Sequence, residues 1–332
     1  MISLCVIAKN EEHCIGAMLE SVRTVVGEAI VVDTGSTDST QAVAQAHGAR
    51  VFQHAWNNDF AAARNIALSY AHYPWILVLD ADEELSPDSI SILDELVRGE
   101  RLAYFLDRHH FFATPNAATF STLAPEHPAV QRGAHAFFAT HDIRLFPNDP
   151  GIQFTGEVHE SAEDSLRTLG YRIERSKAVL FHFGHLIVGA RAQEKKDLYL
   201  SLAQQKVSTN PRDWRAWYHV GVELQTQGRH LEAMQAFSRA VQMRNDFAPL
   251  WRQIGVSLCE QGDYSTAFEA FTKALSKDQT CPLTWNALGV AFLKVHSLDA
   301  AKVCFETILA GDTGNPTARM NLELVKQLRT LT

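Results

Sequence analysis

The stretch Trp75–Glu84 reads WILVLDADEE and places an acidic cluster directly behind an apolar run. The apolar residues Trp75–Leu79 predict a β-strand that is buried on both faces. Four carboxylates in the positions Asp80–Glu84 would repel one another unless positive charge lies among them. A divalent cation such as Mn²⁺ or Mg²⁺ meets that need, because these ions bind hard oxygen ligands and keep positions open for substrate phosphates.

Asp80 and Asp82 are the predicted metal ligands of this cluster. The alternative is a solvated acidic loop before a helix that begins at Ser86, which together with the next residue, a proline, forms a good helix start. Glu83 and Glu84 are assigned to that solvated loop.

Three further apolar runs predict strands at Ile2–Ala8, Ala29–Val32 and Arg50–Gln53. Polar stretches, Lys9–Glu12 and Asp33–Asp38, follow the first two of them. Helix-like segments alternate with the strands, which predicts an α/β fold with a Rossmann-like, mostly parallel sheet. Ligands bind beyond the carboxyl ends of such strands, so the polar stretches are expected to face one crevice.

The loop Asp33–Asp38 is rich in glycine and hydroxyl groups and leads into a helix that starts near Ser39. Its amide groups could face a nucleotide. Ser and Thr before a helix are also ordinary N-caps, so the loop by itself leaves both interpretations open.

The C-terminal part carries an internal repeat, in which Trp217, Trp251 and Trp285 stand at intervals of 34 residues. Small and aromatic residues recur with the same period: Gly221, Gly255 and Gly289; Ala233, Ala267 and Ala301; Phe237, Phe271 and Phe305. This period is typical of tetratricopeptide-type helical hairpins.

In the predicted hairpins, Gly and Ala lie where helices approach closely, and Trp and Phe fill the wedge between successive hairpins. Gly228 and Gly262 mark the first two turns, and His296 replaces glycine in the third. A terminal helix, Thr317–Leu331, is expected to cover the last apolar face. Two roles stay open for the repeats: a structural or homodimerisation surface, and a groove that recruits an acceptor protein.

A length of 332 residues predicts two compact units. We expect an α/β domain at 1–190, a linker helix at 191–212, and three repeats with a capping helix at 213–332. The net charge of -8 argues against a nucleic acid as the main partner, because such binding needs clustered Lys and Arg, although a local basic patch stays open.

The start of the chain is too short and too acidic for a secretion signal, and no apolar stretch is long enough for an integral membrane segment. Membrane association would be peripheral. Five cysteines without a closely spaced pair indicate free thiols and a cytoplasmic location.

Four motifs carry a family resemblance: CVIAKNEE at Cys5–Glu12, VVDTGSTDST at Val31–Thr40, DFAAARN at Asp59–Asn65 and LDADE at Leu79–Glu83. With them the N-terminal part resembles family 2 glycosyltransferases of the GT-A fold. With its repeats, the chain is similar to a bacterial subgroup that includes peptide S-glycosyltransferases. The two resembling parts cover most of the chain.

The resemblance implies a nucleotide-sugar donor, a UDP-sugar before others, and a set of residues that contact it: Ala8, Asn10, Glu11, Asp33, Gly35, Ser36, Asp38, Arg64, Asp80 and Ala81. Asp33 would contact the base and Asp80 the ribose, and Asp82 would bind the metal. Arg64 would lie near the phosphates; its alternative is a surface residue paired with Asp59.

The middle segment, Leu102–Ser176, is expected to shape the acceptor side. Within it Phe154–Glu160, FTGEVHE, is similar to an F-x-G-x-I/V-H-E stretch of the subgroup, with Glu157 where a basic residue is common. Farther on, His182–His185 reads HFGH and resembles an H-Y-G-Y stretch, from which His185 departs.

Inversion of configuration, which the resemblance implies, requires a carboxylate that removes the acceptor's proton. Glu160 is the first candidate for this base and Glu157 the second. His159 would orient the acceptor or the base, and His182 would complete the metal shell or contact the diphosphate. The acceptor is expected to be a protein, a peptide or a glycan.

Two other functions are consistent with the residues. The chain could be a catalytically silent scaffold whose repeats bind a protein partner. It could also be a phosphohydrolase with Asp80 as nucleophile, although Glu84 and the late position of the motif argue against that chemistry.

Overall fold

The structure, a computed structural model, describes residues 1–113, 121–123, 125–156, 160–186 and 190–331. The described residues form two compact units. The first contains those of 1–112 and 139–187, and the second those of 113–138 and 188–332.

The N-terminal part alternates strands and helices before it becomes mainly β-structure. Its elements are β1 Ile2–Ala8, α1 Ile15–Val22, β2 Val26–Asp33, α2 Thr40–Ala46, β3 Arg50–Gln53, α3 Phe60–Ser69, β4 Trp75–Asp80, β5 Glu83–Leu85, α4 Ser89–Leu96, β6 Ala103–Phe112, β7 Ser121–Thr122, β8 Ala136–Pro147, α5 Glu163–Thr168 and β9 Ile173–His182. All four predicted strands are present.

Four parallel strands in the order β3, β2, β1 and β4 begin the sheet. The register pairs Ala8 with Asp33 and Ile7 with Asp80, so the three polar strand ends meet at one edge. The sheet continues through β8, β6, β9 and β5, and β8 runs antiparallel to β4. The predicted α/β fold is confirmed, with an extension of mixed parallel and antiparallel strands that the local sequence did not predict.

Apolar residues cover both faces of the sheet, as the unbroken apolar strands predict. Leu4 and Val6 of β1 face a core that α1 and α4 complete, whereas Cys5 faces a second core with residues of α3 and α5. This burial raises the pKa of the Cys5 thiol to about 12, with the charge of Glu28 adding to the effect, so Cys5 acts as a packing residue.

The C-terminal part is a series of helices: α6 Ala190–Thr209, α7 Trp214–Thr226, α8 His230–Met243, α9 Ala248–Glu260, α10 Tyr264–Lys277, α11 Pro282–Lys294, α12 Leu298–Gly311 and α13 Pro316–Leu331. Helices α7 to α12 form three hairpins at the predicted period. Within the described residues, no helix has the length and apolar character needed to cross a membrane.

Glycine and phenylalanine pack against each other inside each hairpin. A β-carbon added at Gly255 would lie 2.5 Å from Phe271, and one added at Gly289 would lie 2.6 Å from Phe305. The close helix approach at these glycines is confirmed. Each ring fills the space that its own hairpin's glycine leaves, and Phe237 and Phe271 also belong to apolar cores that include residues of the next hairpin.

The unit boundaries differ from the expected ranges at two places. The expected linker helix is α6, whose Leu200 and Ala203 are buried in the core of the first hairpin, so α6 extends the repeat unit. The described residues of 113–138 also group with the helices. The expected capping helix is α13, which buries Ala318 and Val325 beside α12.

Candidate active site

Asp33 ends β2 and is buried. Its Oδ1 accepts hydrogen bonds from the backbone N–H of Gly35 (3.1 Å) and Ser36 (2.9 Å) and from the amide of Gln41 (2.9 Å). Its Oδ2 is buried and accepts no hydrogen bond from the described part of the chain. A buried carboxylate oxygen without a donor is costly, so this atom is suited to a ligand N–H.

Residues after β1 and β2 fix the two loops to each other. Asn10 donates its N–H to Ser36 Oγ (2.9 Å) and accepts from the N–H of Thr37 at Oδ1 (2.8 Å). The N–H of Glu11 donates to Thr40 Oγ1 at 2.7 Å, and Asp38 Oδ1 accepts the N–H of Thr40 at 3.0 Å. The side chains of Ser36 and Asp38 therefore shape this loop.

Arg64 of α3 is buried and bridges two carboxylates. Its Nη2 lies 2.5 Å from Asp80 Oδ1, and its Nε lies 2.5 Å from Glu160 Oε1. Asp59 caps α3 by accepting the N–H of Ala62 at 3.0 Å. The alternative of a surface Arg64 paired with Asp59 is wrong, because the guanidinium points into the strand edge.

Two further arginines lie beside the acidic cluster. Arg144 Nη2 contacts Asp80 Oδ2 (3.2 Å) and Glu83 Oε1 (2.9 Å), and Arg108 Nη1 contacts the same Glu83 oxygen (3.1 Å). A contact of either arginine with the acidic cluster is not predicted from the sequence, since each lies far along the chain on β6 or β8. The feature of the sequence that could have pointed to these arginines is a basic residue within a largely apolar strand.

Glu83 does not belong to a solvated loop. Its side chain is completely buried, and its Oε2 accepts the N–H of Asp80 at 2.9 Å. The arginines also change the charge argument, because Arg64, Arg108 and Arg144 already supply positive charge to the cluster. Carboxylate repulsion alone therefore does not require a metal here.

Asp80 is ionised because of these arginines. Burial opposes its charge, but the guanidinium groups of Arg144, Arg64 and Arg108 hold the pKa of Asp80 well below its usual value. Burial raises the pKa of Glu83, and the charge of Asp80 adds to this, against the opposing effect of Arg144. Asp80 is therefore a charged carboxylate that solvent can reach, since 29% of its side chain is exposed.

Asp82 and His182 form a pair that suits a metal ion. Asp82 Oδ2 lies 3.5 Å from His182 Nε2. The N–H of Phe183 donates to the carbonyl of Asp82 at 3.0 Å, which fixes the HFGH stretch beside the D-x-D motif. A β-carbon at Gly184 would lie 2.5 Å from Asp82 Oδ2, so the glycine keeps this space clear. Ala81, which lies between Asp80 and Asp82 in the sequence, is buried.

Two other histidines approach this pair. Ring nitrogens of His110, His182 and His185 lie within 4.8 Å of one another, an arrangement that can hold a metal ion. His110 Nδ1 contacts His182 Nδ1 at 3.0 Å, and its Nε2 contacts Thr140 Oγ1 at 2.8 Å. Burial and neighbouring positive charge lower the pKa of His110, so this imidazole is neutral.

Glu160 lies beside the strand edge, where Arg64 contacts it. Asn65 secures the preceding segment, because its side chain donates to the Phe154 carbonyl at 2.9 Å and accepts the Phe154 N–H at 2.8 Å. Glu157 and His159, the other residues predicted here, lie outside the described residues.

Fold and site define an α/β protein of the doubly wound type, joined to tetratricopeptide-type hairpins. Residues 3–151 match the family model of glycosyl transferase family 2, and residues 215–247 match that of the tetratricopeptide repeat. The chain therefore carries a family 2 glycosyltransferase domain followed by tetratricopeptide repeats.

Curated relatives resemble parts of the chain. A TPR repeat-containing protein of Synechococcus elongatus is 40% identical over 51% of this chain and 37% of its own length. An uncharacterized glycosyltransferase of Rickettsia conorii is 39% identical over 52% of this chain and 64% of its own. The glycosyltransferase SunS of Bacillus subtilis is 23% identical over 73% of this chain and 53% of its own. The chain thus spans less than two thirds of each of these relatives.

Proposed function

We propose that the chain transfers a sugar from a nucleotide-diphosphate sugar, a UDP-sugar before others, to a protein, peptide or glycan acceptor with inversion of configuration. The family 2 match at residues 3–151 supports the reaction class. The observation that carries the proposal is the strand edge where β2 ends in Asp33 and β4 ends in Asp80, with Asp82 two residues beyond β4.

The nucleobase of the donor is assigned to Asp33. Asp33 Oδ2 is buried without a donor from the described chain, and a base N–H would supply one. Asp80 is assigned to the ribose, since a carboxylate held by arginines can still accept hydrogen bonds from sugar hydroxyls. The phosphates are assigned to Arg64, whose buried Nη1 donates no hydrogen bond to described residues.

Mn²⁺ or Mg²⁺ is the proposed cofactor, with Asp82 and His182 as ligands. When bound, such an ion stabilises the negative charge that develops on the departing diphosphate. Asp80, the other predicted ligand, is occupied by arginine contacts at both oxygens, so we place it beside the ion as a ribose contact.

Glu160 is the proposed base that takes the acceptor's proton. Its present partner is Arg64, which would stabilise its charge and weaken it as a base. A diphosphate that draws Arg64 toward itself would release Glu160 for this role. Glu157 stays the second candidate for this base, and His159 stays the candidate residue for orienting the acceptor or the base.

The repeats are proposed to bind the acceptor protein or a second copy of the chain, in the cytoplasm. Tetratricopeptide hairpins present extended surfaces that suit protein partners. A silent scaffold remains the rival function. The phosphohydrolase alternative loses support, because arginine contacts to both oxygens of Asp80 reduce its nucleophilicity.

The test is a screen of UDP-, GDP- and dTDP-sugars with Mn²⁺ or Mg²⁺, read as thermal stabilisation and as slow donor hydrolysis. Asp82→Asn should lower the metal-dependent rate about 100-fold or more, since several kcal/mol of charge stabilisation are lost. Glu84→Gln, in the same acidic cluster, is the matched control. Unchanged turnover in Asp82→Asn would contradict the metal assignment, and the absence of any nucleotide binding would favour the scaffold.

A further inference from the structure

Three hydrogen-bond donors converge on one oxygen of the Asp33 carboxylate. Its Oδ1 accepts the backbone N–H groups of Gly35 and Ser36 at 3.1 and 2.9 Å, and the side-chain amide of Gln41 at 2.9 Å. The other oxygen, Oδ2, is buried and has no hydrogen-bond partner among the residues that the structure describes. Because a carboxylate can spread its donors over two oxygens, this uneven distribution leaves one oxygen for a ligand.

The backbone of Asp33 is fixed from both sides, so its side chain is the part that can turn. Asp33 is paired in register with residues of β1 and of β3. If the carboxylate plane rotated, the N–H groups of Gly35 and Ser36 could be shared between the two oxygens. The third donor, Gln41, comes from helix α2 and opposes this rotation, because the rotation would break its hydrogen bond to Oδ1.

A second glutamine fixes the orientation of the Gln41 amide. An ionised carboxylate only accepts hydrogen bonds, so Gln41 turns its NH₂ group toward Asp33 and its Oε1 away. That Oε1 accepts a hydrogen bond from the amide of Gln53 at 3.0 Å, and Gln53 stands on β3 at the position paired with Asp33. Gln53 and Gln41 therefore form an amide relay that runs from β3 through α2 to the end of β2.

We propose that Gln41, supported by Gln53, is a positioning residue for recognition of the nucleobase. It holds the Asp33 carboxylate so that Oδ2 faces the base and accepts a ring N–H. Uracil, thymine and guanine carry such an N–H on their Watson–Crick edge, whereas cytosine and adenine present a bare nitrogen there, which a carboxylate oxygen repels. A site that hydrogen-bonds a ligand N–H discriminates against an analogue that lacks it. This inference rests on the assignment of the nucleobase to Asp33 in the proposed function and adds the residues that set base selectivity.

The experiment measures binding of nucleoside diphosphates to the full-length protein by titration calorimetry with Mn²⁺ present. UDP is compared with CDP, and GDP with ADP, because the first of each pair carries the ring N–H and the second does not. Wild type should bind UDP about 10- to 100-fold more tightly than CDP, the range expected when a buried oxygen is left without a donor. A chain that uses a guanine nucleotide should show the same pattern with GDP and ADP.

The decisive variant is Gln41→Leu, which removes the third donor from Asp33. It should weaken UDP binding about 10-fold and leave CDP binding unchanged, so that the preference for UDP falls by the same factor. A loss of general structure would instead weaken the binding of both nucleotides. Gln53→Leu should lower the preference about 2- to 3-fold, since Gln41 keeps its bond to Asp33 but loses the group that orients it.

Gln45→Leu is the matched control, because Gln45 is exposed on the same helix α2 and lies outside the amide relay. Circular dichroism and thermal unfolding without nucleotide check the folding of each variant. A folded Gln41→Leu protein that loses affinity for UDP and CDP equally, or that keeps the wild-type preference, would overturn the proposal.

The same measurements separate this inference from the proposed function. If wild type turns over a sugar nucleotide while wild type and Gln41→Leu show the same base preference, only the role of Gln41 is contradicted. If wild type binds none of the four nucleoside diphosphates, the proposed donor is wrong and this inference fails with it.

Discussion

Arg144 shows how a single side chain balances the charge of the site. Only 7% of it is exposed, and it contacts Asp80 and Glu83 through one nitrogen. A buried charge that loses its partner costs more than the pair contributed, so Arg144 is required once Glu83 is buried and Asp80 is partly buried around it.

We therefore predict that Arg144→Met lowers the free energy of unfolding by about 3–5 kcal/mol, since it leaves carboxylate charge under-compensated. Denaturant unfolding at pH 7 measures this. The control is Arg98→Met, which removes an exposed pair with Asp94 and should cost less than about 0.5 kcal/mol. Similar losses in the two variants would show that the cluster is not held by Arg144.

The turns between the two helices of each hairpin keep one backbone conformation even where histidine replaces glycine. Gly228 and Gly262 adopt positive φ angles of 74° and 80°, and His296 adopts 58° at the same point of the third hairpin. The period of the repeat imposes this backbone on a residue that disfavours it. The third turn therefore differs from the other two in its side chain, because histidine replaces glycine, while its backbone conformation is the same.

Helix α7 carries an acidic residue in the core of the first hairpin. Glu223 is buried, and burial raises its pKa from 4.5 to about 7. A carboxyl whose pKa is raised by folding favours the folded state fully below pH 4.5, and this contribution is lost as pH rises through about 7.

We predict that Glu223→Gln stabilises the repeats by about 2 kcal/mol at pH 8 and much less at pH 5, because the amide needs no proton to stay neutral. Thermal unfolding at both pH values provides the measurement. Glu269→Gln, an exposed change on α10, is the control and should leave the pH dependence unaltered. A Glu223→Gln variant with the wild-type pH profile would contradict the role of this group.

At the scale of the whole molecule, the chain has two units with separate cores. The sheet cores lie on either face of the nine-stranded sheet, and the repeat cores run between successive hairpins. Each unit has a buried apolar core of its own, which is the condition for separate unfolding.

We predict two thermal transitions. Mn²⁺ with UDP at about 100 times their dissociation constants should raise the free energy of unfolding of the α/β unit by about 2.7 kcal/mol. The transition of the repeat unit should stay at the same temperature. Glu223→Gln at pH 8 should move the repeat transition alone. A single transition that responds to both changes would refute the separation.

The four parallel strands, the three hairpins and the position of Asp33, Asp80 and Asp82 at or just beyond one edge of the sheet could be predicted from the sequence alone. These follow from local periodicity and from the rule that parallel strand ends share an edge. The position of His182 near the metal motif does not follow from periodicity, and only the family resemblance predicted it.

The way in which the acidic cluster is neutralised could be seen only in the folded chain. Arg64, Arg108 and Arg144 come from three different elements, and burial of Glu83 follows from strands that pair far along the chain. Folding also brought His110 and His185 to His182. Ion pairs and metal ligands act over a few ångströms in space, and a linear pattern carries no information about contacts between residues that only folding brings together.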